Sequence, residues 1–165
     1  MRKAARLIEL EDILSSSFFG EDDPLIGPIL KTHLAIEACL VEMIQITRPD
    51  DTCWGWKFLK KTKWLRSQGV ITQSDKEALD LYNDLRNDFA HIFGHSIDLK
   101  QLLIMAKNLE NFGIEFSDSI GNYSQKKAVE DYDGSQGVVA EISWCILSHV
   151  TILMRENGGR DIFSS

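Results

Sequence analysis

Arg86, Asn87 and His91 are the residues of this chain whose types and spacing could do chemistry. They lie in the run Leu85-Arg86-Asn87-Asp88-Phe89-Ala90-His91, at the end of an amphipathic helical segment. At roughly 100° per residue, Ala78, Leu81, Tyr82, Leu85, Phe89, Ile92 and Phe93 share one apolar face. Asn87 and His91 are four apart and stack one above the other on nearly the opposite face, with Arg86 on the flank. The protomer's own core does not account for Asn87 or His91, so both are expected to face solvent, a partner chain or a substrate. An imidazole in the last turn of a helix, ahead of the stop Gly94-His95-Ser96, sits in a field that favours its cationic form by a few tenths to about 1 kcal/mol. That tunes His91 toward giving up a proton near neutral pH, the behaviour of a general acid. A guanidinium nearby can hold phosphate oxygens in a bidentate fork. The spacing also admits a plainer arrangement, a solvated His91 with Arg86 paired to Asp84 or Asp88 on the surface.

Two further groupings compete for attention. Lys57, Lys60, Lys61, Lys63 and Arg66 form the one concentrated basic segment, interleaved with Trp54, Trp56, Phe58 and Trp64. Basic charge with aromatic faces suits a phosphate backbone and stacked bases. An amphipathic helix with Phe58, Leu59 or Leu65 buried and its lysines solvated explains the same pattern. His33 and Glu37 are spaced i, i+4, as are His91 and His95, a spacing a zinc ion could use. No third ligand lies at a telling distance, so no metal or cofactor is expected, and His33–Glu37 reads as a polar contact inside a bundle or beside the Arg–His site. His149, among Ile146, Val150 and Leu153, reads as a histidine at the edge of the core. Gly-rich phosphate loops and nucleophile elbows are absent.

The elements that must position these residues are helical. At 165 residues, 44% hydrophobic and 26% charged, the chain fits one globular domain. Twenty-five acidic residues against 18 basic ones give a net charge of -7, which argues against a protein that coats nucleic acid. Cys39, Cys53 and Cys145 are odd in number and far apart, as expected of a reducing, cytoplasmic setting. No uninterrupted apolar run approaches about 18 residues, so no membrane span is expected. The periodicity predicts helices over about 3–17, from the Asp23-Pro24 or Gly27-Pro28 cap to about 46, 55–67, from Ser74 to 91, 98–110 and 137–156. Ser74 and Glu77 have the spacing of a capping box. Residues 111–136, polar and punctuated by glycine, predict an irregular insertion with a short helix near Gln125–Tyr132, a lid or dimer element that is more mobile than the bundle. The expected whole is a single all-α domain, a bundle of four to five main helices over 1–165 with its core in about 24–156.

Arg86-Asn87 followed by three residues and His91, closing the third long helix of a bundle, resembles the signature of the HEPN superfamily. The flanking pattern is most similar to the branch related to mannitol operon repressors. Lys31-Thr32-His33-Leu34-Ala35-Ile36-Glu37-Ala38 and Trp64-Leu65-Arg66-Ser67-Gln68-Gly69-Val70-Ile71 carry the likeness further, so that it spans roughly residues 28–110. The resemblance implies a homodimer that brings two Arg–His motifs together. It implies a metal-independent endoribonuclease, a toxin or defence effector, in which His91 does acid–base chemistry, Arg86 steadies the phosphate and Asn87 positions both. It equally implies the alternative of a non-catalytic regulator or module that binds a protein, an antitoxin or a nucleotide through the same surface.

Overall fold

The computed structural model describes residues 25–49, 51–91 and 97–163, the side chains of residues 51 and 89–91 excepted. Among the described residues all regular structure is helical. Six α-helices follow in order: α1 (Ile26–Thr47), α2 (Phe58–Ser67), α3 (Gln73–His91), α4 (Leu99–Asn111), α5 (Gln125–Tyr132) and α6 (Ser135–Glu156). Short 3-10 turns, Asp51–Gly55 and Ile120–Asn122, precede α2 and α5. The helix expected over 3–17 and the stop at Gly94-His95-Ser96 lie outside the described residues.

The two longest helices, α1 and α6, lie against each other and form the spine. Ile29, Ile36, Leu40, Met43 and Ile44 of α1 and Val138, Ile142, Ile146 and Val150 of α6 are fully buried at the 3.6-residue period. α6 is long and apolar enough to cross a membrane by length and composition, although a glutamate, a histidine and hydroxyl residues interrupt its apolar run. More than half of its most apolar stretch is buried inside the fold, as in a core helix. On α1, α2 and α3 pack beside each other; on α6, α4 and α5 do. The site residues belong to the α1–α2–α3 wall.

Three boundaries differ from expectation for local reasons. The helix expected from residue 55 is split, because Trp56 N–H closes the 3-10 turn on the Cys53 carbonyl at 3.1 Å and Lys57 is extended. α3 is capped two residues early. Thr72 Oγ1 accepts the Asp75 N–H at 3.1 Å and Asp75 Oδ2 accepts the Thr72 N–H at 2.7 Å, so Thr72 and Asp75 form the reciprocal box expected of Ser74 and Glu77. α1 starts at Ile26 with no side-chain cap, and Pro28 falls in its first turn, where an N–H is not required.

Residues 111–136 contain more anchoring than their composition suggests. Ile114, Ile120 and Ala128 are buried, and the 3-10 turn lies flat on α4. A Cβ built on Gly121 would stand 2.5 Å from the Lys107 Cα, so only glycine permits that approach. The α5 helix expected at Gln125–Tyr132 is present with those bounds, and Asp133 (φ 56°) and Gly134 (φ 79°) turn the chain through left-handed backbone into α6.

Candidate functional site

α3 carries one polar ridge among its apolar residues. Ala78, Leu79, Tyr82 and Leu85 are buried in the core, and Asn83, 5% exposed, is buried with them. Leu81, expected in the apolar stripe, is only partly buried. Arg86 and Asn87, three and four residues after Asn83, are half-buried and follow it along the ridge. His91 is the last residue of the same helix; its side chain lies outside the described ones. Asn87, expected to lie off the apolar stripe, is half-buried, as is Arg86 on its flank.

The Arg86 guanidinium has one described partner. Nη1 donates to Asn87 Oδ1 at 3.0 Å, while Nε is buried and meets no acceptor. Neither Asp84 nor Asp88 forms an ion pair with it, although both are on the same helix. The plainer arrangement, a surface pair with a neighbouring aspartate, is thus not the one adopted. The pull of burial, with the charges of Asp80 and Asp88, lifts the Asp84 carboxyl above its ordinary range. A half-buried cation held by a neutral amide and carrying an unused donor retains its capacity to bind an anion.

Behind Arg86, α1 supplies His33, 5% exposed. With the amide oxygen of Asn83 facing the ring, His33 Nε2–H donates to Asn83 Oδ1 at 3.0 Å, joining α1 to α3. The His33 ring also lies 4.6 Å from the Phe58 ring of α2. Burial holds the imidazole below its usual pKa; the charges of Arg86 and Lys61 push the same way, against the Asn83 hydrogen bond and the Glu37 carboxylate. The placement of His33 and Glu37 as polar contacts beside the arginine agrees with the sequence. They do not act as a joint ligand pair: Glu37 is engaged elsewhere, and no cluster of three metal-binding side chains occurs among the described residues.

Lys61 is the largest departure. Expected among solvated lysines, it is 1% exposed, and its Nζ donates to Glu37 Oε1 at 2.5 Å and to the Trp56 carbonyl at 2.7 Å. Phe58 and Leu65 are buried as expected, but Leu59 is exposed. Lys57, Lys60, Lys63 and Arg66 are exposed, with Lys60 Nζ 4.3 Å above the Trp56 ring and Trp56 edge-on to Trp64. Four of the five cations are thus exposed, and Lys60 with Trp56 and Trp64 forms one basic, aromatic patch among them.

The residues that sequence reasoning overlooked are Asn83 and Lys61. Asn83 left a faint signal: it sits one turn before the Arg86-Asn87 pair on the edge of the apolar stripe. Lys61 left none, since its counter-ion is on a helix 24 residues away. His149 stands at the core edge as expected, with Nε2 2.7 Å from Asp75 Oδ1. Compared with family models, with curated proteins and with solved structures, the chain matches none.

Proposed function

We propose that this chain is a metal-independent endoribonuclease of the HEPN type that acts as a homodimer. In this reading Arg86 holds the scissile phosphodiester, Asn87 fixes the guanidinium, and His91 from each of two copies moves the protons. The ribose 2′-oxygen attacks phosphorus as one imidazole takes its proton, and the bond from phosphorus to the 5′-oxygen breaks as the second protonates the leaving oxygen. The products are a 2′,3′-cyclic phosphate and a free 5′-hydroxyl. One observation carries the reading: Arg86 is half-buried, has no carboxylate to neutralise it among the described residues, and bonds only to Asn87. A cation so placed is stabilised by an incoming anion.

The net charge of -7 favours a second reading, a regulator or binding module that takes a protein or nucleotide at the same residues without turnover. Incubation of the purified chain with mixed single-stranded and structured RNA in EDTA separates the two. Cleavage is expected, with cyclic-phosphate ends, with DNA spared, and with rates lowered by about 10² or more in His91→Ala and in Arg86→Ala. Equal cleavage by wild type and His91→Ala, or none by wild type, overturns the nuclease reading in favour of the binding module.

A further inference from the structure

We infer that His33 and Asn83 are positioning residues for Arg86, a buried hydrogen-bonded buttress joining α1 to α3 that sets the turn of helix carrying the guanidinium toward an RNA phosphate. The inference rests on the reading of Arg86 as an anion-binding group and adds two residues that do not touch the anion themselves. Three observations support it. The His33–Asn83 hydrogen bond is buried and crosses from α1 to α3. Asn83 stands three residues before Arg86 and four before Asn87, so it fixes the turn of helix on which both are carried. The charged groups that act on His33 are Glu37 on its own helix, Lys61 on α2 and Arg86 on α3; Glu37 is bonded to Lys61, so the His33–Asn83 bond is the described side-chain hydrogen bond between α1 and the turn of α3 just before Arg86.

An uncharged side chain at position 83 suits the arrangement. A carboxylate at position 83 would bond His33 equally well, yet it would stand one turn from Arg86 and compete with the phosphate. A leucine at position 33 would fill the space but leave Asn83 Oδ1 without its donor, with Arg86 one turn further along the same helix. Glutamine at 33 carries an N–H near the position of Nε2 and keeps the support.

The test uses the full chain and a short fluorescein-labelled RNA with 2′-O-methyl riboses, which binds but offers no nucleophile. Binding is read by anisotropy at low salt, with circular dichroism as the check on folding. His33→Leu and Asn83→Asp are each expected to weaken binding about tenfold or more, as misplacement of a single binding group can do, and His33→Gln to recover most of the loss. Because His33 acts through Arg86, His33→Leu is expected to have no further effect in an Arg86→Ala background. A merely structural contribution would weaken both backgrounds equally. Wild-type affinity in folded Asn83→Asp, or full additivity of His33→Leu with Arg86→Ala, overturns the buttress and leaves the reading of Arg86 intact. Equal affinity of wild type and Arg86→Ala overturns the reading of Arg86 itself, and the buttress with it. Asn83→Asp keeps the question answerable if His33→Leu fails to fold.

Discussion

Removing the charge of Glu37 should destabilise the fold more than removing Lys61, although Lys61 is the more deeply buried of the two. The ammonium is 1% exposed and the carboxylate 33%. In Glu37→Gln the ammonium remains sealed in, with the Trp56 carbonyl at 2.7 Å and an amide oxygen in place of a carboxylate. Stripping one partner from a fully buried pair costs about 3–5 kcal/mol. Since a third of Glu37 already meets water, which can partly replace it, about 2–3 kcal/mol is expected here. In Lys61→Met the carboxylate can turn outward into solvent and the methionine preserves the packing, leaving chiefly the Trp56 carbonyl unsatisfied, at about 1–2 kcal/mol. Once Lys61 is gone, the second change, Glu37→Gln, has no buried cation to abandon and should cost almost nothing. Urea denaturation followed by circular dichroism reads these as shifts of midpoint at constant slope. For a domain of this size each kcal/mol moves the melting temperature by about 2–4 °C. A larger loss in Lys61→Met than in Glu37→Gln, or a double variant equal to the sum of the singles, would refute the argument from asymmetric burial.

Two more outcomes follow from buried polar contacts. The Tyr82 hydroxyl is fully buried and shares a 2.8 Å hydrogen bond with Ser143 Oγ; burial, against the Ser143 and Thr32 hydrogen bonds, pushes its phenol far above the usual range. Tyr82→Phe is expected to cost about 1–2 kcal/mol, and Ser143→Ala to add less than its single effect in that background, as measured by denaturation. Asp75 gives an acid-sensitive contribution: burial works to raise its carboxyl, but hydrogen bonds from Thr72 and His149 outweigh it and hold it below the ordinary range. A depressed carboxyl contributes fully above its unfolded value near 3.9 and loses that contribution as pH falls through the lower folded value. Asp75→Asn should therefore be less stable than wild type at pH 6, with the gap closing below about pH 4; a gap that is constant from pH 6 to pH 2 would exclude the mechanism.

Much of the helical arrangement could be read directly from spacing. The apolar residues of α1, α4 and α6 recur at 3.6 and mark helices whose ends lie within a few residues of those observed, and the short α5 falls where it is expected, capped by Ser124. The capping of α3 was ambiguous in principle. Thr72…Asp75 and Ser74…Glu77 have the same spacing, and the choice falls to Thr72 because the other Asp75 oxygen is taken by His149 from α6, a partner no local window contains. The ridge on α3 shows the same limit. Arg86 and Asn87 could be singled out by type, but Asn83 became a site residue only when α1 brought His33 to it across 50 positions. Residues 111–136 hold anchors that spacing does not mark: Ile114 and Ile120 are single apolar residues with no period, buried where Gly121 lets the backbone touch α4.

The α1–α2–α3 wall holds two cations withdrawn from bulk water and treats them in opposite ways. Lys61 is sealed and given a carboxylate and a carbonyl, so its charge is spent within the fold. Arg86 is half-buried, given an amide, and left with a buried Nε that donates to nothing. Desolvating a cation without a counter-ion lowers stability, and a well-packed apolar side chain at that position would avoid the penalty. Stability therefore accounts for the partners of Lys61 but not for the lack of a carboxylate partner for Arg86 among the described residues. His33 sharpens the contrast: within reach of the charges of both cations, which with burial hold its pKa down, it bonds an uncharged amide and brings Arg86 no counter-charge. A charge kept in this state raises the affinity for whatever anion reaches it: a guanidinium can fork onto a carboxylate or a phosphate alike, and in the reading proposed above that anion is the scissile phosphodiester.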